Sequence, residues 1–320
     1  MITRPLVFYH ASCNDGWCAA WLVKKVYVDA ELVPAQYGGA EPYGYEGRDV
    51  FILDFCFPLA TMERIANECR SLVVIDHHAS AERLLKQSGF KLHFHWDAEV
   101  MMNPPIRNIY REGSELLFDM TKSGGRLTWE YLRRKGFASL IEPQSPLSGP
   151  EGDVPWLVNY TQDRDLWCHK LPFSKEVNAV IRSHPRTHEQ WDILQQQEPL
   201  ESAFVKQGAA ILRNEQQMID NAVYHAREIT LAGHKVLAVN STVLFSDIAG
   251  ELAKGRAFGC AFFIRSDGQM QWSLRSTPEG EDVSKIAEQL GGGGHRGAAG
   301  FECSLDAGLA VLRPTLQETE

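Results

Sequence analysis

No CxxC pair occurs among the seven cysteines, and no apolar run approaches the ~20 residues that cross a bilayer. Low-complexity tracts and internal repeats are also missing, which leaves folded domains rather than tails or arrays. The N-terminus, "MITRPLVFYH", has no apolar core followed by a small-residue cleavage site. An odd number of unpaired cysteines and no such leader read as a cytoplasmic protein with reduced thiols. Cys18, Cys69 and Cys260 sit in apolar surroundings and read as inert core residues. Positive charge is scarce. The net balance of −9 counts against a protein that coats long duplex nucleic acid, which rests on Lys and Arg at many phosphates. A short phosphorylated substrate in a local site stays compatible, and a carboxylate-rich metal centre would itself add negative charge.

What is present is ordinary globular material: 320 residues, 44% hydrophobic and 23% charged, enough for two domains with sizeable cores. "LVFYH" reads as a strand, 18–28 as a helix opened by the Asn14-Asp15-Gly16 turn, and 31–37 as an edge strand because of Pro34. Strand 50–55, helix 58–69 with Pro at its first turn, and strand 72–76 follow. This βαβ alternation predicts an α/β fold with a parallel sheet and helices on both faces. The stretch 92–122 has little periodicity and reads as an excursion, a cover over a cleft or a dimer contact, so a homodimer stays open. A helix over 126–136, a Pro/Gly loop over 143–153 and a helical segment over 155–167 come next. A long helix over 198–227 is expected to join a domain at 1–197 to a smaller α/β domain at 228–320. The latter opens with a hairpin turning at Gly233-His234 and continues with helix 246–254, strands "CAFFIR" and "QWSLRS", and helix 283–290.

Three of the early strands end in polar residues: His10, with Asp15 close behind; Asp54; and Asp76-His77-His78. Ligands of open parallel sheets bind outside the carboxyl ends of the strands, so these residues would converge there. A single Asp at a strand end is ordinarily a turn or a helix cap. Two imidazoles and a carboxylate buried together are costly unless something pairs them, and that points to a metal site.

The set His10…Asp15-Gly16, Asp54, Asp76-His77-His78 and Asp163 in "TQDRDLW" resembles the DHH phosphoesterase superfamily, named for the Asp-His-His triplet. The end of the chain resembles the DHH-associated C-terminal domain through "GGHRGAAG", preceded by "SLRS". Together the two resemblances cover nearly the whole chain. They imply one metal site from Asp15, Asp54, His77 and Asp163, with Asp54 bridging to a second ion that His10 also holds. They imply His78 as a phosphate contact and Asp76 as the residue orienting the site. Carboxylates with an imidazole suit Mn(II) or Mg(II), and two such ions would activate a water for in-line attack on phosphorus. Asp165 competes with Asp163 for the fourth position; Asp163 is preferred because Trp167 follows at the expected distance. In the second domain, Gly293 and Gly294 can expose backbone N–H groups, and Arg275 and His295 are the implied phosphate or nucleotide contacts.

One position departs from the pattern. Members commonly carry Asp-x-Asp in the first motif, and here the earlier acid is Cys13. Cys13 as a bystander, as a thiolate ligand favouring a softer ion such as zinc, and as the mark of a degraded site are all open; a working site is preferred. The reading that results is a metal-dependent phosphoesterase for short nucleotide substrates: dinucleotides, short oligonucleotides, cyclic dinucleotides or a nucleotide bisphosphate. The alternatives are a polyphosphate or pyrophosphate hydrolase, and a nucleotide-binding regulatory protein if Cys13 abolishes the first metal site.

Overall fold

The computed structural model describes residues 4–36, 39–78, 81, 107–108, 114–141 and 154–313. The chain begins β1 (Leu6–His10), α1 (Asn14–Val26), β2 (Glu31–Ala35), β3 (Asp49–Leu53), α2 (Leu59–Glu68) and β4 (Ser71–Asp76). After β5 (Arg107–Asn108) and β6 (Glu115–Phe118) come α3 (Gly124–Leu132), a π-helical turn at Arg133–Phe137 and α4 (Ala138–Ile141). Helices α5 (Trp156–Asp165), α6 (Ser174–Ser183), α7 (His188–Gln195) and α8 (Ser202–Tyr224) follow. The strands form one sheet in the order β2-β1-β3-β4-β6-β5. The first five run parallel and β5 runs antiparallel to β6. Pro34 lies in the edge strand β2, where a missing N–H costs least.

Strand alternation divides the apolar residues between two cores. Val7, Phe51, Leu53, Val73, Ile75 and Leu117 face a layer built from α1, α3, α5, α6 and α7. Leu6, Phe8, Val50, Ile52, Leu72, Val74, Leu116 and Phe118 face the other way, onto Met62 and Ile65 of α2. The fold is thus α/β with helices on both faces, as the alternation of segments implied. Full burial of a side chain such as Leu22 or Ile52 is worth about 1.5–3 kcal/mol, against about 0–1 for an exposed pair such as Arg4–Glu31. The two cores, rather than the rim charges, hold the sheet together.

The helix expected over 198–227 runs over Ser202–Tyr224, and the chain divides into two compact units within it, Met1–Leu212 and Arg213–Glu320. The second unit holds β7 (Arg227–Leu231), β8 (His234–Asn240), α9 (Phe245–Leu252), β9 (Gly259–Ile264), β10 (Gln269–Arg275), α10 (Val283–Gln289), β11 (Gly293–His295), β12 (Ala298–Ser304) and α11 (Leu305–Leu312). Its sheet has the order β11-β12-β10-β9-β8-β7, with only β8 and β9 parallel. The β7–β8 turn is made by Ala232 and Gly233, both left-handed (φ 49° and 82°), so His234 opens the next strand instead of completing the turn.

Other boundaries moved for local reasons. The helix expected over 126–136 starts at Gly124 because Ser123 caps it, its hydroxyl accepting from the Arg126 N–H at 3.3 Å. It leaves the α form at Arg133, three residues before Gly136 takes φ 89°. Most of 92–122 and all of 143–153 lie outside the described residues; what is described of the excursion is the short β5–β6 pair and the turn that follows it at 119–122. Helices α4, α6, α7 and α11 had no counterpart in the sequence reading. Among the described residues, no helix is long and apolar enough to cross a membrane.

Helix α7 is latched to α1 by Asp192, whose Oδ1 accepts from Trp21 Nε1 at 2.9 Å and from Lys25 Nζ at 2.8 Å. Partial burial raises this carboxyl, but the Lys25 and Trp21 hydrogen bonds outweigh it and hold it below its ordinary value. A depressed acid adds stability above its unfolded value of about 3.9 and loses it as pH falls through the folded one. Asp192→Asn is therefore expected to lower stability by about 1–2 kcal/mol at pH 7. In urea melts, the gap between wild type and variant should shrink as pH drops below about 4.

Candidate metal centre

The carboxyl edge of the first sheet is where the polar residues meet. His10 closes β1, and Asp15 stands in the first turn of α1. Leu53 is the last residue of β3, and Asp54 follows it in a left-handed conformation (φ 58°). That conformation costs a non-glycine residue about 1–3 kcal/mol. It ends the strand alternation at the point where the carboxylate must turn toward its neighbours, while the Asp54 N–H still donates to Ile75 O at 2.8 Å. Asp76 ends β4, and the chain turns at once. Its Oδ1 accepts from His77 N–H at 2.7 Å, from His78 N–H at 3.1 Å and from His78 Nδ1 at 2.7 Å. One buried carboxylate thus makes the turn and fixes the second imidazole.

His77 sits at the centre. Its Nε2 lies 3.1 Å from Asp54 Oδ1, 3.5 Å from Asp165 Oδ2 and 3.8 Å from Asp15 Oδ2. The other Asp54 oxygen, Oδ2, faces His10 Nδ1 at 3.4 Å. Two groups with ligand-like spacing result, His10–Asp54–His78 and Asp15–His77–Asp165, with Asp54 presenting one oxygen toward each side. Because Asp76 engages His78 Nδ1, Nε2 is the atom this imidazole offers to an ion or to a substrate oxygen.

The electrostatics favour added positive charge. Burial, with Asp54 and Asp165 nearby, raises the Asp15 carboxyl well above the usual carboxylate range. Burial also raises Asp165. Burial works against charge on the imidazoles, yet Asp54 pushes His77 up to about 10, and Asp76 pushes His78 up to about 9. Asp54 is held low despite its burial by His10 and His77. A divalent cation answers the same demand as the protons these histidines attract. The donor set also fits one: both Asp54 oxygens are buried, and neither meets hydrogen-bond geometry with a described residue. Carboxylates and imidazoles without a committed thiolate suit Mn(II) or Mg(II). Cys13 caps α1 beside the cluster but belongs to neither group. Burial and the charges of Asp54, Asp165 and Asp15 raise its thiol well above its ordinary value.

Asp163 is a correction. It is buried, but its carboxylate is occupied by the following loop, accepting from Lys170 N–H at 2.8 Å, Leu171 N–H at 3.4 Å and Ser174 Oγ at 2.5 Å. Asp165, at the last position of α5, reaches His77 instead. Two residues along a helix turn a side chain by about 200°, so only one of the pair can face the cluster.

Two residues of the site went unread in the sequence, Gly124 and Gly125. Their N–H groups, at the N-terminus of α3, donate to Asp15 Oδ2 at 2.5 Å and Oδ1 at 3.0 Å. A Cβ on Gly124 would stand 2.8 Å from Asp54 Cβ and 3.1 Å from Asp15 Oδ2; one on Gly125 would stand 2.9 Å from Cys18 Sγ. Only glycine lets this helix end approach both carboxylates. The visible signal was a glycine pair directly after a capping serine.

The second unit is described by itself. Its glycine-rich stretch is a hairpin arm rather than an open loop: Gly293–His295 pairs with Ala298–Gly300. Gly294 has φ 146°, and a Cβ there would meet Ala298 O at 2.5 Å. His295 and Arg275 are both opposite Ala298, on its two sides, so the three occupy one row and one face of the sheet. The Arg275 Nη2 donates to Ser246 Oγ at 2.8 Å.

No protein-family model matches the chain. The uncharacterized protein R106 of Acanthamoeba polyphaga mimivirus is 24% identical over 323 residues, covering 93% of this chain and 67% of the viral protein. Among solved structures, RecJ in complex with Mn2+ from Thermus thermophilus is 13% identical with a TM-score of 0.48, covering 97% of this chain and 51% of that one. An exopolyphosphatase-related protein from Bacteroides fragilis is 12% identical with a TM-score of 0.49, covering 96% and 89%. At these scores the likenesses say nothing of activity.

Isothermal titration with Mn(II) separates the two aspartates. Asp165→Asn should weaken binding at least about tenfold. Asp163→Asn should instead lower the melting temperature by several degrees, at about 2–4 °C per kcal/mol lost. In the same titration Gly124→Ala, which adds no charge and removes no donor, should weaken Mn(II) about 10- to 100-fold by displacing Asp15.

Proposed function

We propose that this chain is a metal-dependent phosphoesterase that hydrolyses short nucleotide substrates. The observation that carries the reading is the pair of ligand groups meeting at Asp54 on the carboxyl edge of a parallel sheet. The resemblance through Asp15-Gly16, Asp54 and Asp76-His77-His78 supplies the reaction class, and the resemblance of the C-terminal segment supplies the nucleotide.

His10, Asp54 and His78 would hold one ion and Asp15, His77 and Asp165 another, with Asp54 between them. Bound ions of this kind acidify water and neutralise charge on phosphoryl oxygens. The chain's own residues do the positioning. Asp76 holds the His77-His78 turn and fixes the His78 ring through its Nδ1. The Gly124 and Gly125 N–H groups orient Asp15 and stabilise its charged form. Arg275 and His295, sharing one row of the second sheet, supply donors for phosphate in that unit. Cys13 is read as a bystander, because its surroundings favour the neutral thiol.

The test is release of mononucleotide from a dinucleotide with Mn(II), followed by chromatography. Asp54→Ala and His77→Ala should each lower the rate at least about 10³-fold, the loss expected when essential metal ligands go. Equal rates in wild type and both variants would sink the proposal. Cys13→Asp should keep or raise the manganese-dependent rate if the cysteine is a bystander, whereas loss of bound metal in this variant would identify Cys13 as a ligand. Phosphate release from pyrophosphate with no action on the dinucleotide would instead favour an inorganic polyphosphate hydrolase.

A further inference from the structure

The segment that follows Asp165 is folded in an unusual way. Main-chain N–H groups of Cys168 and His169 donate to Asp163 O at 2.9 and 3.3 Å, and Trp167 N–H donates to Arg164 O at 3.0 Å. Together with the three donors on the Asp163 carboxylate, these bonds wrap residues 166–174 around one buried acid. Three non-glycine residues in this short span are left-handed: Trp167 (φ 57°), His169 (φ 50°) and Phe173 (φ 51°). For a residue as bulky as tryptophan that conformation is an outlier that the surroundings must impose.

What the strained loop displays is an indole. Trp167 is 55% exposed. The Arg164 guanidinium lies over its ring at 4.2 Å from the centroid, and His169 meets it edge-on with centroids 5.3 Å apart. Arg164 and Trp167 bracket Asp165, which reaches His77 in the metal cluster. Two residues of chain keep the Cα atoms of Asp165 and Trp167 within about 7 Å. The loop that carries Trp167 therefore leaves directly from a residue of the cluster.

We infer that Trp167, backed by Arg164, is a stacking platform for the base of the substrate, and thereby selects nucleotides over inorganic phosphates. The inference rests on the phosphoesterase reading and narrows it to base-bearing substrates. Stacking uses the π-face that every base has, so the platform tolerates any base sequence. An inorganic polyphosphate has no such face and would gain nothing from it. The guanidinium adds a positive charge beside the ring, suited to an anionic ligand.

The test uses the full chain with Mn(II) and two probes, a nucleoside monophosphate and inorganic phosphate, titrated calorimetrically. Trp167→Ala should weaken the nucleotide about 10- to 100-fold and leave inorganic phosphate within about twofold. Trp167→Phe, which keeps an aromatic face and the fold, should retain most of the nucleotide affinity. The inference is overturned if the nucleotide binds Trp167→Ala as it binds wild type, if both probes weaken alike, or if wild type holds the nucleotide no more tightly than phosphate. The two proposals fail separately. Wild type that binds nucleotide through Trp167 but cleaves no dinucleotide keeps the platform and loses the reaction. Wild type that cleaves the dinucleotide while Trp167→Ala binds and cleaves equally well keeps the reaction and loses the platform.

Discussion

Negative charge gathered at the end of a parallel sheet is the constraint on which the rest of the first unit depends. Asp15, Asp54 and Asp165 all point at the single Nε2 of His77 from within 4 Å. Two like charges about 4 Å apart cost on the order of 4 kcal/mol at an effective dielectric of 20, while a domain's whole stability is about 5–15 kcal/mol. Such a cluster persists only if positive charge is supplied and the backbone holds the groups in place. The raised imidazoles of His77 and His78 express the first demand. The left-handed Asp54 and the paired N–H groups of Gly124 and Gly125 express the second.

The scaffold follows from the same demand. Apolar alternation along β1, β3 and β4 buries both faces of the sheet and makes its carboxyl edge rigid. His10, Asp54 and Asp76 are presented by neighbouring parallel strands, so their spacing is set by the ladder rather than by flexible loops. Helix α3 then closes the cluster from a distant part of the chain. Its approach is so near that a single methyl group on Gly124 would collide with Asp54. The candidate metal centre and a helix packing contact are here the same set of atoms.

Much of this was legible in the residues. Strands β1 to β4, the two-faced α/β architecture and the convergence of His10, Asp15, Asp54 and the Asp76-His77-His78 triplet follow from periodicity and from where strands end, whereas β5 and β6 fall in the stretch that showed little period. The orienting role of Asp76 also matches its three hydrogen bonds. Helices α6 and α7 were not read, although their buried faces (Val177, Val180 and Ile181; Trp191 and Leu194) belong to the main core. Val177, Val180 and Ile181 stand at helical spacing, so α6 was legible in the residues although the reading passed over it. The glycine-rich segment, expected to expose backbone N–H groups, is a paired strand. Its glycines answer the crowding of β12 against it, which no local pattern reveals.

The sequence by itself determined which residue types would meet and at which edge, because strand polarity and side-chain alternation are local properties of the chain. Only the tertiary structure decided between Asp163 and Asp165. Both are acids, two residues apart, in one helical turn, and spacing cannot tell which one faces inward. The packing of α5 turns Asp165 toward His77 and leaves Asp163 to hold the loop that displays Trp167. The part of Gly124 and Gly125 was likewise beyond the sequence, since it depends on a contact between residues more than a hundred positions apart.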